Sequence, residues 1–338
     1  MKIAINGFGR IGRLFLRQVL FESKTEVVAI NDLGDLENLA YLFKYDSVYR
    51  AYKGNVKCDK EKGLLIVDGK EIKFIQEKDP LKLPWKDLDI DLVVESTGVF
   101  ESFEKAKVHL DAGAKRVVLT APAKDADGIA GGKTILVGLN DAELKTCNLS
   151  SNASCTTNAA YPVIAIMAES IGIQKAILNT VHAYTNTQTM VDSPVKGSDF
   201  RRGRAGAQNI IPSTTGAAIA VTRAFKELEG KFDGIALRVP VAVGSIADIT
   251  FLAKRKTSVE EINEIFKKAE KEPRWQGILK TVEEQIVSSD IIAEPYGAIV
   301  DLKFTKVVDG DLVKILSWYD NEWGYASMLL KHVLKTIV

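Results

Sequence analysis

The sequence is poor in several features that would define a class of protein. Its 338 residues include only three cysteines, too few and too odd in number for a disulfide framework, and only three histidines. Basic and acidic residues balance at 45 and 44, so no overall field attracts nucleic acid or an anionic lipid surface. The longest apolar run, around residues 161–168, is far shorter than the roughly 20 residues that cross a bilayer. We therefore expect no disulfide scaffold, no nucleic-acid partner and no membrane span.

The chain does contain enough apolar residues for sizeable cores. Hydrophobic residues make up 46% and charged residues 26%, as is typical of a globular protein. A length of 338 residues exceeds what one core usually serves, which predicts two domains. No secretory signal precedes the first apolar run, and the cysteine usage fits a reducing compartment, so we expect a cytoplasmic protein. We assign no metal site.

The pattern of predicted elements changes near residue 150. Before it, short β-branched runs alternate with helical or loop segments, which is typical of a doubly wound parallel sheet in an α/β domain. After it, longer strand-like runs have few helices between them, which favours an α+β domain with a mixed or antiparallel sheet. We predict domains over 1–150 and 151–321, followed by a C-terminal helix. The predicted strands are 2–6, 26–30, 91–95, 116–120 and 133–137, then 176–182, 234–239, 246–252, 298–301 and 313–318.

A glycine-rich turn follows the first predicted strand. Gly7, Gly9 and Gly12 match G-x-G-x-x-G and open a helix, where backbone N–H groups can hold a pyrophosphate. Asp32 ends the second strand twenty residues after Gly12, near the spacing at which a carboxylate meets ribose hydroxyls. Its charge would repel a 2′-phosphate, so NAD is favoured and NADP is the weaker alternative. A glycine turn beside a solvent-facing aspartate is the structural alternative.

Two further loops follow predicted strands. Thr97 and Gly98 come after one of them, and Thr120 ends another. Parallel sheets place ligand-contacting loops at such strand ends. An ordinary loop is the simpler interpretation of either segment taken alone.

Cys155 lies in a run of small polar residues, 151–158, which leads into an apolar segment. A thiol at a helix N-terminus gains thiolate character, and neighbouring N–H groups can hold an oxyanion. Cys155 is therefore the candidate nucleophile. A lone cysteine is more often an inert buried thiol, which is our interpretation of Cys58 and Cys147. Pro162 argues against a continuous helix after Cys155.

The three histidines differ in their surroundings. His182 ends an apolar run and opens a polar loop, where it can serve as general base for a cysteine. A structural histidine explains that pattern equally well. His109 and His332 lie in predicted helices beside lysines, which indicates solvated surface.

Three segments are candidates for binding phosphate. Thr215 and Gly216 open a predicted helix over 217–228, whose first N–H groups can hold an anion. Arg238 is a charge inside an apolar strand and needs a partner, either a protein carboxylate or a substrate phosphate. Arg202 belongs to a basic cluster, a feature that is most often a solvated loop.

Together these motifs resemble the phosphorylating glyceraldehyde-3-phosphate dehydrogenases from end to end. The matching segments are residues 4–13, 151–158, 180–182, 209–218, 238–240, 287–290 and 317–322. The resemblance implies a cofactor domain on which the C-terminal helix, 322–338, packs, and a catalytic domain over 151–321. It also implies a homotetramer with the loop around residues 183–206 at a subunit interface.

The resemblance further implies the chemistry of glycolysis and gluconeogenesis. Cys155 attacks the aldehyde of glyceraldehyde 3-phosphate and His182 activates it; hydride transfer to NAD gives a thioester, which inorganic phosphate cleaves to 1,3-bisphosphoglycerate. The resemblance implies that Thr185 and Arg238 bind the substrate's own phosphate. The residues that it implies for binding the attacking phosphate are Ser154, Thr156, Arg202, Thr215 and Gly216. The implied cofactor contacts are Gly7, Gly9, Arg10, Ile11, Gly12, Asp32, Thr97, Gly98, Thr120, Asn321 and Tyr325.

The sequence departs from the family in two places. Ala159 stands where many members have a second cysteine, which excludes a local disulfide with Cys155. The stretch 193–200 is longer than in bacterial members. Two alternatives stay open: an erythrose-4-phosphate dehydrogenase, which shares nearly all these motifs, and a catalytically idle NAD-binding regulatory protein. An idle copy would have no chemical reason to keep Cys155, His182 and Arg238.

Overall fold

The computed structural model describes residues 1–337, which fold into two compact units. The first comprises residues 1–153 and 329–337, and the second comprises residues 154–328. Within residues 1–337, none of the helices combines the length and the apolar character that a membrane crossing requires.

The first unit is built on one sheet with helices between its strands. The strands are β1 (Lys2–Asn6), β2 (Glu26–Asn31), β3 (Val56–Asp59), β4 (Leu64–Val67), β5 (Lys70–Ile75), β6 (Leu92–Glu95), β7 (Arg116–Leu119), β8 (Lys133–Thr134) and β9 (Leu149–Ser151), in the order β3-β4-β5-β2-β1-β6-β7-β9-β8. The helices are α1 (Arg10–Val19), α2 (Leu36–Lys44), α3 (Phe103–Ala106) and α4 (Val108–Asp111). From β5 to β8 all neighbours are parallel, which confirms the predicted doubly wound sheet.

One edge of this sheet departs from the prediction. Strands β3, β4 and β5 pair antiparallel. The β4–β5 hairpin turns at Asp68 and Gly69, both in the left-handed region with φ of 49° and 82°. Asp-Gly between two strands is a strong sequence signal for such a two-residue turn, yet the strands predicted above omit this hairpin. The predicted strand over 133–137 is also shorter, ending at Thr134.

The second unit is built on a mixed sheet, as the sequence predicts. Its strands are β10 (Ile173–Ala183), β11 (Ile211–Thr214), β12 (Phe232–Val239), β13 (Ser245–Ala253), β14 (Leu279–Val282), β15 (Ala298–Asp301), β16 (Lys306–Val308) and β17 (Leu312–Tyr319), in the order β11-β12-β10-β13-β17-β15-β14 with β16 beside β17. Its helices are α5 (Cys155–Ser170), α6 (Ala217–Ala224), α7 (Val259–Ala269) and the start of α8 (Trp323–Lys335). Only β10–β12 and β14–β15 pair in parallel among the described strands of this sheet.

Helices α5 and α6 correct two expectations. Helix α5 continues through Pro162 to Ser170, so the proline does not end it. It is buried along most of its length, and packing of this kind stabilises a helix beyond its intrinsic propensity. The helix predicted over 217–228 ends instead at Ala224, because Phe225 takes a non-helical conformation before a short 3₁₀ turn.

The C-terminal part of α8 belongs to the first unit. Leu329, Leu330 and Val333 join the apolar core that also contains Phe15 of α1 and Phe43 of α2. The last turns of the chain therefore complete the core beneath the glycine-rich turn.

Candidate active site

The three glycines of the first turn serve three different purposes. Gly7 has φ of 95°, and a Cβ there would lie 2.6 Å from the backbone N of Thr97. A Cβ on Gly12 would lie 2.2 Å from the carbonyl oxygen of Gly7, so this glycine lets α1 approach the end of β1. A Cβ on Gly9 would project into open space. Gly9 thus leaves the room that a pyrophosphate needs at the start of α1.

Asp32 closes this turn from the end of β2. Its Oδ2 accepts a hydrogen bond from the N–H of Phe8 at 2.6 Å, and its Oδ1 accepts one from the N–H of Gly34 at 2.8 Å. The carboxylate is half-buried and lines a cavity of about 430 Å³. Asp32 is therefore part of the loop structure rather than a solvent-facing side chain.

The same cavity gathers residues from several strand ends of the first unit. It is lined by Asn6, Gly7, Gly9, Asn31, Asp32, Leu33, Glu77, Lys78, Pro80, Leu83, Ser96, Thr97, Val99 and Phe100. The lining combines apolar and polar side chains, as a purine and a ribose require. Sequence reasoning missed Asn6, Asn31 and Phe100, because asparagine and phenylalanine near strand ends carry no motif.

Other predicted cofactor residues of the first unit lie outside the lining of this cavity. The Arg10 guanidinium pairs with Asp46 and stacks over Tyr49. Ile11 and Gly12 form the first turn of α1. Gly98 takes φ of 70° in the turn after β6, and the N–H of Thr120 donates to the carbonyl of Glu95. Their contacts with a cofactor stay a prediction.

Cys155 is the first residue of α5. The Ser154 hydroxyl accepts from the N–H of Thr157 at 3.0 Å, a capping box that starts the helix at the cysteine. Just before it, buried Ala153 takes φ of 54°, a left-handed conformation that is strained for a residue with a Cβ. Cys155 is half-buried as a residue, and N–H groups at the start of the helix lie beside its thiol.

His182 lies within reach of this thiol. Its Nε2 is 3.4 Å from Cys155 Sγ, and its Nδ1 is 2.6 Å from the carbonyl oxygen of Ala183. The side chain is only 3% exposed, and its ring meets Tyr319 edge-on. When Nδ1 donates to that carbonyl, Nε2 carries the lone pair that accepts the thiol proton. The predicted cysteine–histidine pair is therefore brought together, which favours the catalytic interpretation of His182.

Arg238 stands beside His182 because of strand register. The two residues are direct partners across the parallel β10–β12 pair. Arg238 Nη1 lies 2.8 Å from His182 Nδ1 and donates to the carbonyl of Ala183 at 3.3 Å. No carboxylate among residues 1–337 forms an ion pair with it, and its buried Nε has no hydrogen-bond partner. The charge thus lacks the protein carboxylate that was one of its two expected partners.

The electrostatics of the pair are set first by burial. Burial raises the pKa of Cys155, while the Arg238 charge and the N–H of Thr156 oppose that rise. Burial, and then the Arg238 charge, lower the pKa of His182 to about 3. The expected thiolate character at the helix start is therefore outweighed before substrate arrives. Both shifts favour the uncharged forms, a thiol and a neutral imidazole, and the neutral imidazole is the form of His182 that can accept a proton.

The threonines among the candidate phosphate ligands of the second unit have hydrogen-bond partners within the chain. Thr156 and Thr180 both share hydrogen bonds with the Tyr319 hydroxyl. Thr185 bonds with Thr187 at 2.9 Å. Thr215 accepts from the N–H of Ala217 at 3.2 Å, with Gly216 as the N-cap of α6.

The basic cluster is paired largely within its own loop. Arg201 and Arg202 both meet Asp199, and Arg204 meets Asp192. Arg202 Nη2 also reaches the Ser213 hydroxyl at 3.5 Å. The cluster therefore shows features of a solvated loop, and a phosphate contact of Arg202 stays a prediction.

Asn321 and Tyr325 lie where the second sheet passes into α8. Asn321 Oδ1 accepts from the N–H of Gly244 and from the Ser245 hydroxyl, at 3.2 and 2.9 Å. Tyr325 is buried, and its N–H donates to the carbonyl of Asp320. Hydrogen bonds and burial hold both residues in place, and their contacts with a nicotinamide stay a prediction.

His109 and His332 correct the expectation of solvated surface, since both are 0% exposed. His109 in α4 bonds with Glu95, and His332 in α8 bonds with Ser150 at 2.9 Å. The neighbouring lysines misled the interpretation, because adjacent residues on a helix point to different sides. Among residues 1–337, no group of three or more metal-binding side chains could hold an ion.

A cavity whose lining suits a dinucleotide in one unit, and a cysteine–histidine pair in the other, are features typical of an oxidoreductase with a cysteine nucleophile. The family model "Glyceraldehyde 3-phosphate dehydrogenase, NAD binding domain" matches residues 1–103. The model "Glyceraldehyde 3-phosphate dehydrogenase, C-terminal domain" matches residues 154–321. The chain belongs to the glyceraldehyde-3-phosphate dehydrogenase family, and its cofactor is NAD.

Individual relatives extend this similarity over the whole chain. The glyceraldehyde-3-phosphate dehydrogenase of Borreliella burgdorferi is 48% identical over 344 residues, covering 100% of both chains. That of Thermotoga maritima is 51% identical over 333 residues, covering 97% of each. That of Clostridium pasteurianum is 46% identical over 334 residues, covering 98% of this chain and 96% of the relative.

Proposed function

We propose that this protein catalyses the phosphorylating oxidation of D-glyceraldehyde 3-phosphate to 1,3-bisphosphoglycerate with reduction of NAD. The observation that carries the proposal is the 3.4 Å contact between Cys155 Sγ and His182 Nε2, with Arg238 beside them and no carboxylate neutralising it among the described residues. A nucleophile, a base and an unneutralised cation are what an anionic aldehyde requires.

The first covalent step joins the thiol to the aldehyde. His182 Nε2 takes the proton from Cys155, the sulfur attacks the aldehyde carbon, and the carbonyl oxygen becomes a hydroxyl by receiving that proton. N–H groups at the start of α5 stabilise the negative charge that develops on this oxygen. The product is a thiohemiacetal on Cys155.

The oxidation and the release then use the same base. NAD supplies the acceptor for the hydride that leaves the thiohemiacetal carbon. His182 takes the hydroxyl proton at the same time, which leaves a thioester on Cys155. An oxygen of inorganic phosphate attacks the thioester carbon, the carbon–sulfur bond breaks, and the acyl phosphate leaves. The departing sulfur takes back the proton that His182 holds, which restores the thiol and the neutral imidazole.

The charge of Arg238 favours it as the anchor for the substrate's own phosphate. Its buried Nε lacks a partner, and burying a guanidinium without an anion is costly. We assign Thr185 to the same phosphate. The hydroxyls of Ser154 and Thr156, with Thr215, Gly216 and the first N–H groups of α6, are assigned to the attacking phosphate, and Arg202 is the least supported member of this set.

We further propose cofactor binding by the first unit, catalysis by the second, and a homotetramer located in the cytoplasm. The loop over residues 183–206 carries exposed apolar side chains, including Met190 at 91% and Phe200 at 73% exposure. Exposed apolar clusters of this kind favour burial against another subunit. A thiol nucleophile also needs reducing surroundings to stay active.

One assay tests the central proposal. NADH formation is followed with glyceraldehyde 3-phosphate or erythrose 4-phosphate, each with and without inorganic phosphate, and NADP replaces NAD in a parallel series. We expect phosphate-dependent NADH formation with the three-carbon substrate. A higher kcat/KM for erythrose 4-phosphate without need for phosphate would favour the four-carbon dehydrogenase. No turnover with either substrate, despite NAD binding, would favour the idle regulatory protein.

A further inference from the structure

A buried carboxylate ends strand β6 beneath the cofactor cavity. Glu95 is only 3% exposed, and β6 runs between β1 and β7 in the parallel part of the sheet. Placing a carboxylate there is costly unless its oxygens are fully hydrogen-bonded. None of the steps proposed above uses this group.

The side-chain oxygens of Glu95 are surrounded by hydrogen-bond donors. Glu95 Oε1 accepts from the backbone N–H of Thr97 at 2.8 Å and from the Thr97 hydroxyl. Glu95 Oε2 accepts from Asn6 Nδ2 at 2.6 Å and lies 2.9 Å from His109 Nε2. Only a group that accepts at both oxygens satisfies this arrangement, and an amide of the same size does not.

His109 is held as a donor toward Glu95 by a residue on its other side. The indole Nε1 of Trp85, which can only donate, lies 3.2 Å from His109 Nδ1. Nδ1 must therefore be the acceptor, so the ring proton sits on Nε2 and points at Glu95 Oε2. The ring is also packed edge-on against Phe100, which lines the cavity. The Trp85–His109–Glu95 chain thus has a single hydrogen-bond direction.

The carboxylate connects directly to the cavity wall. Its partners Asn6 and Thr97 both line the cavity. Asn6 Oδ1 accepts from Asn31 Nδ2 at 2.7 Å, and Asn31 bonds both the N–H and the carbonyl of Glu77, at 2.9 and 3.0 Å. Hydrogen bonds therefore connect the segments of the cavity wall at Asn6, at Thr97 and, through Asn31, at Glu77 to the buried Glu95 carboxylate. Asp32, assigned to the adenosine ribose, lines the same cavity.

We propose that Glu95 and His109 are positioning residues for the adenosine end of the dinucleotide. His109 orients the buried carboxylate, which in turn fixes the Thr97 turn and the Asn6 side chain in the geometry that receives the ligand. Preorganisation of this kind lowers the cost of binding, because the loops are ordered before the ligand arrives. The inference rests on the binding of NAD by the first unit, which is proposed above.

The test compares two equally buried histidines of the first unit. His109→Leu removes the donor to Glu95, and His109→Gln places an amide N–H near the position of Nε2. His332→Leu is the matched control, because His332 is also 0% exposed but bonds Ser150 and Asn152, neither of which lines the cavity. Calorimetry gives the Kd of NAD and of ADP-ribose, and urea titration gives the stability of each variant.

We expect His109→Leu to raise the Kd of NAD and the Kd of ADP-ribose by the same factor, about tenfold. This is the scale of one lost hydrogen bond to a charged group. kcat at saturating NAD should change less than twofold. His109→Gln should recover most of the affinity, whereas His332→Leu should lose stability and keep both Kd values within twofold. Wild-type affinity in His109→Leu, or an equal loss in His332→Leu, would overturn the proposal.

Two further variants keep the test decisive if His109→Leu does not fold. Trp85→Phe removes the donor that orients the His109 ring, and it should raise the Kd of ADP-ribose by a smaller factor than His109→Leu does. Glu95→Gln keeps the size of the side chain but turns an N–H toward at least one donor, so it should weaken binding more than Trp85→Phe. Unchanged affinity in both overturns the proposal. Failure of the wild-type protein to bind NAD would instead count against the proposed function.

Discussion

Arg238 Nη1 and the carbonyl oxygen of Ala183 meet the same nitrogen of His182, at 2.8 and 2.6 Å. A guanidinium only donates and a carbonyl only accepts, so Nδ1 cannot satisfy both at once. A substrate phosphate that engages Arg238 would draw the cation away and leave Nδ1 to the carbonyl. Nε2 would then be free to accept the Cys155 proton as substrate binds.

The Arg238 charge acts on Cys155 as well as on His182. Arg238→Gln removes the charge that opposes the rise in the pKa of Cys155, so we expect the midpoint of the pH dependence of iodoacetamide alkylation to move to higher pH. The pKa of His182 should rise too, since the same charge lowers it. Arg238→Lys keeps a cation and should leave the alkylation midpoint near that of the wild type. An unchanged midpoint in Arg238→Gln would contradict this electrostatic role.

Cys155→Ser should abolish NADH formation, because a hydroxyl in the same place is a far weaker nucleophile. The Kd of NAD should stay within twofold, since the cavity described above lies in the first unit and contains no part of α5. Steady-state turnover and calorimetry measure the two effects separately. Near-normal turnover in Cys155→Ser would show that Cys155 is not the nucleophile.

Alkylation should also distinguish the three thiols. Burial raises the pKa of both Cys147 and Cys155, and Cys58 is partly buried in strand β3. Cys155 differs in having the imidazole of His182, a base, 3.4 Å from its sulfur. We expect iodoacetamide to label Cys155 first and activity to fall in proportion, as followed by peptide mass spectrometry. Cys147→Ser is the control and should leave the inactivation rate unchanged. Inactivation that follows the labelling of Cys147 would contradict the assignment.

His332 should make the protein less stable in mild acid. Burial lowers its folded-state pKa to about 3, while an unfolded histidine titrates near about 6.5. Between these values the unfolded chain binds a proton that the folded chain does not, so the free energy of unfolding falls as pH falls. His332→Gln keeps a hydrogen-bonding side chain and should reduce this slope by about 1.4 kcal/mol per pH unit. Urea titrations at pH 6 and pH 5 measure it, and equal slopes in the two proteins would disprove the burial effect.

Asp32 should control the choice between NAD and NADP. Asp32→Asn removes the negative charge that repels a 2′-phosphate, so the ratio of kcat/KM for NAD over NADP should fall about tenfold. Asp35→Asn is a matched control, since it removes the same charge nearby while asparagine still caps α2. Initial rates with each cofactor give the ratio. A ratio that falls equally in both variants would show a general charge effect rather than a contact of Asp32.

The sequence predicts the two sheets well because their strands carry clear β-branched and apolar runs. It also identifies Cys155 and His182, each by its local surroundings. It does not show that they meet, since that depends on how β10 lies beside the start of α5. The burial of His109 is equally hidden, because Trp85 and Glu95 reach it from 24 and 14 residues away. Long-range contacts of this kind leave no periodic signal.

His182 and Arg238 lie opposite each other because of the register between β10 and β12. The site should therefore be sensitive to insertions or deletions within these strands and tolerant of them in the connecting loops. An insertion between Ala183 and β11 does not change which residues of β10 and β12 pair with each other. Removing one residue inside β12 would turn the guanidinium to the opposite face of the sheet. Loops around this site are therefore open to remodelling by insertion or deletion, whereas the two strands must keep their residue count.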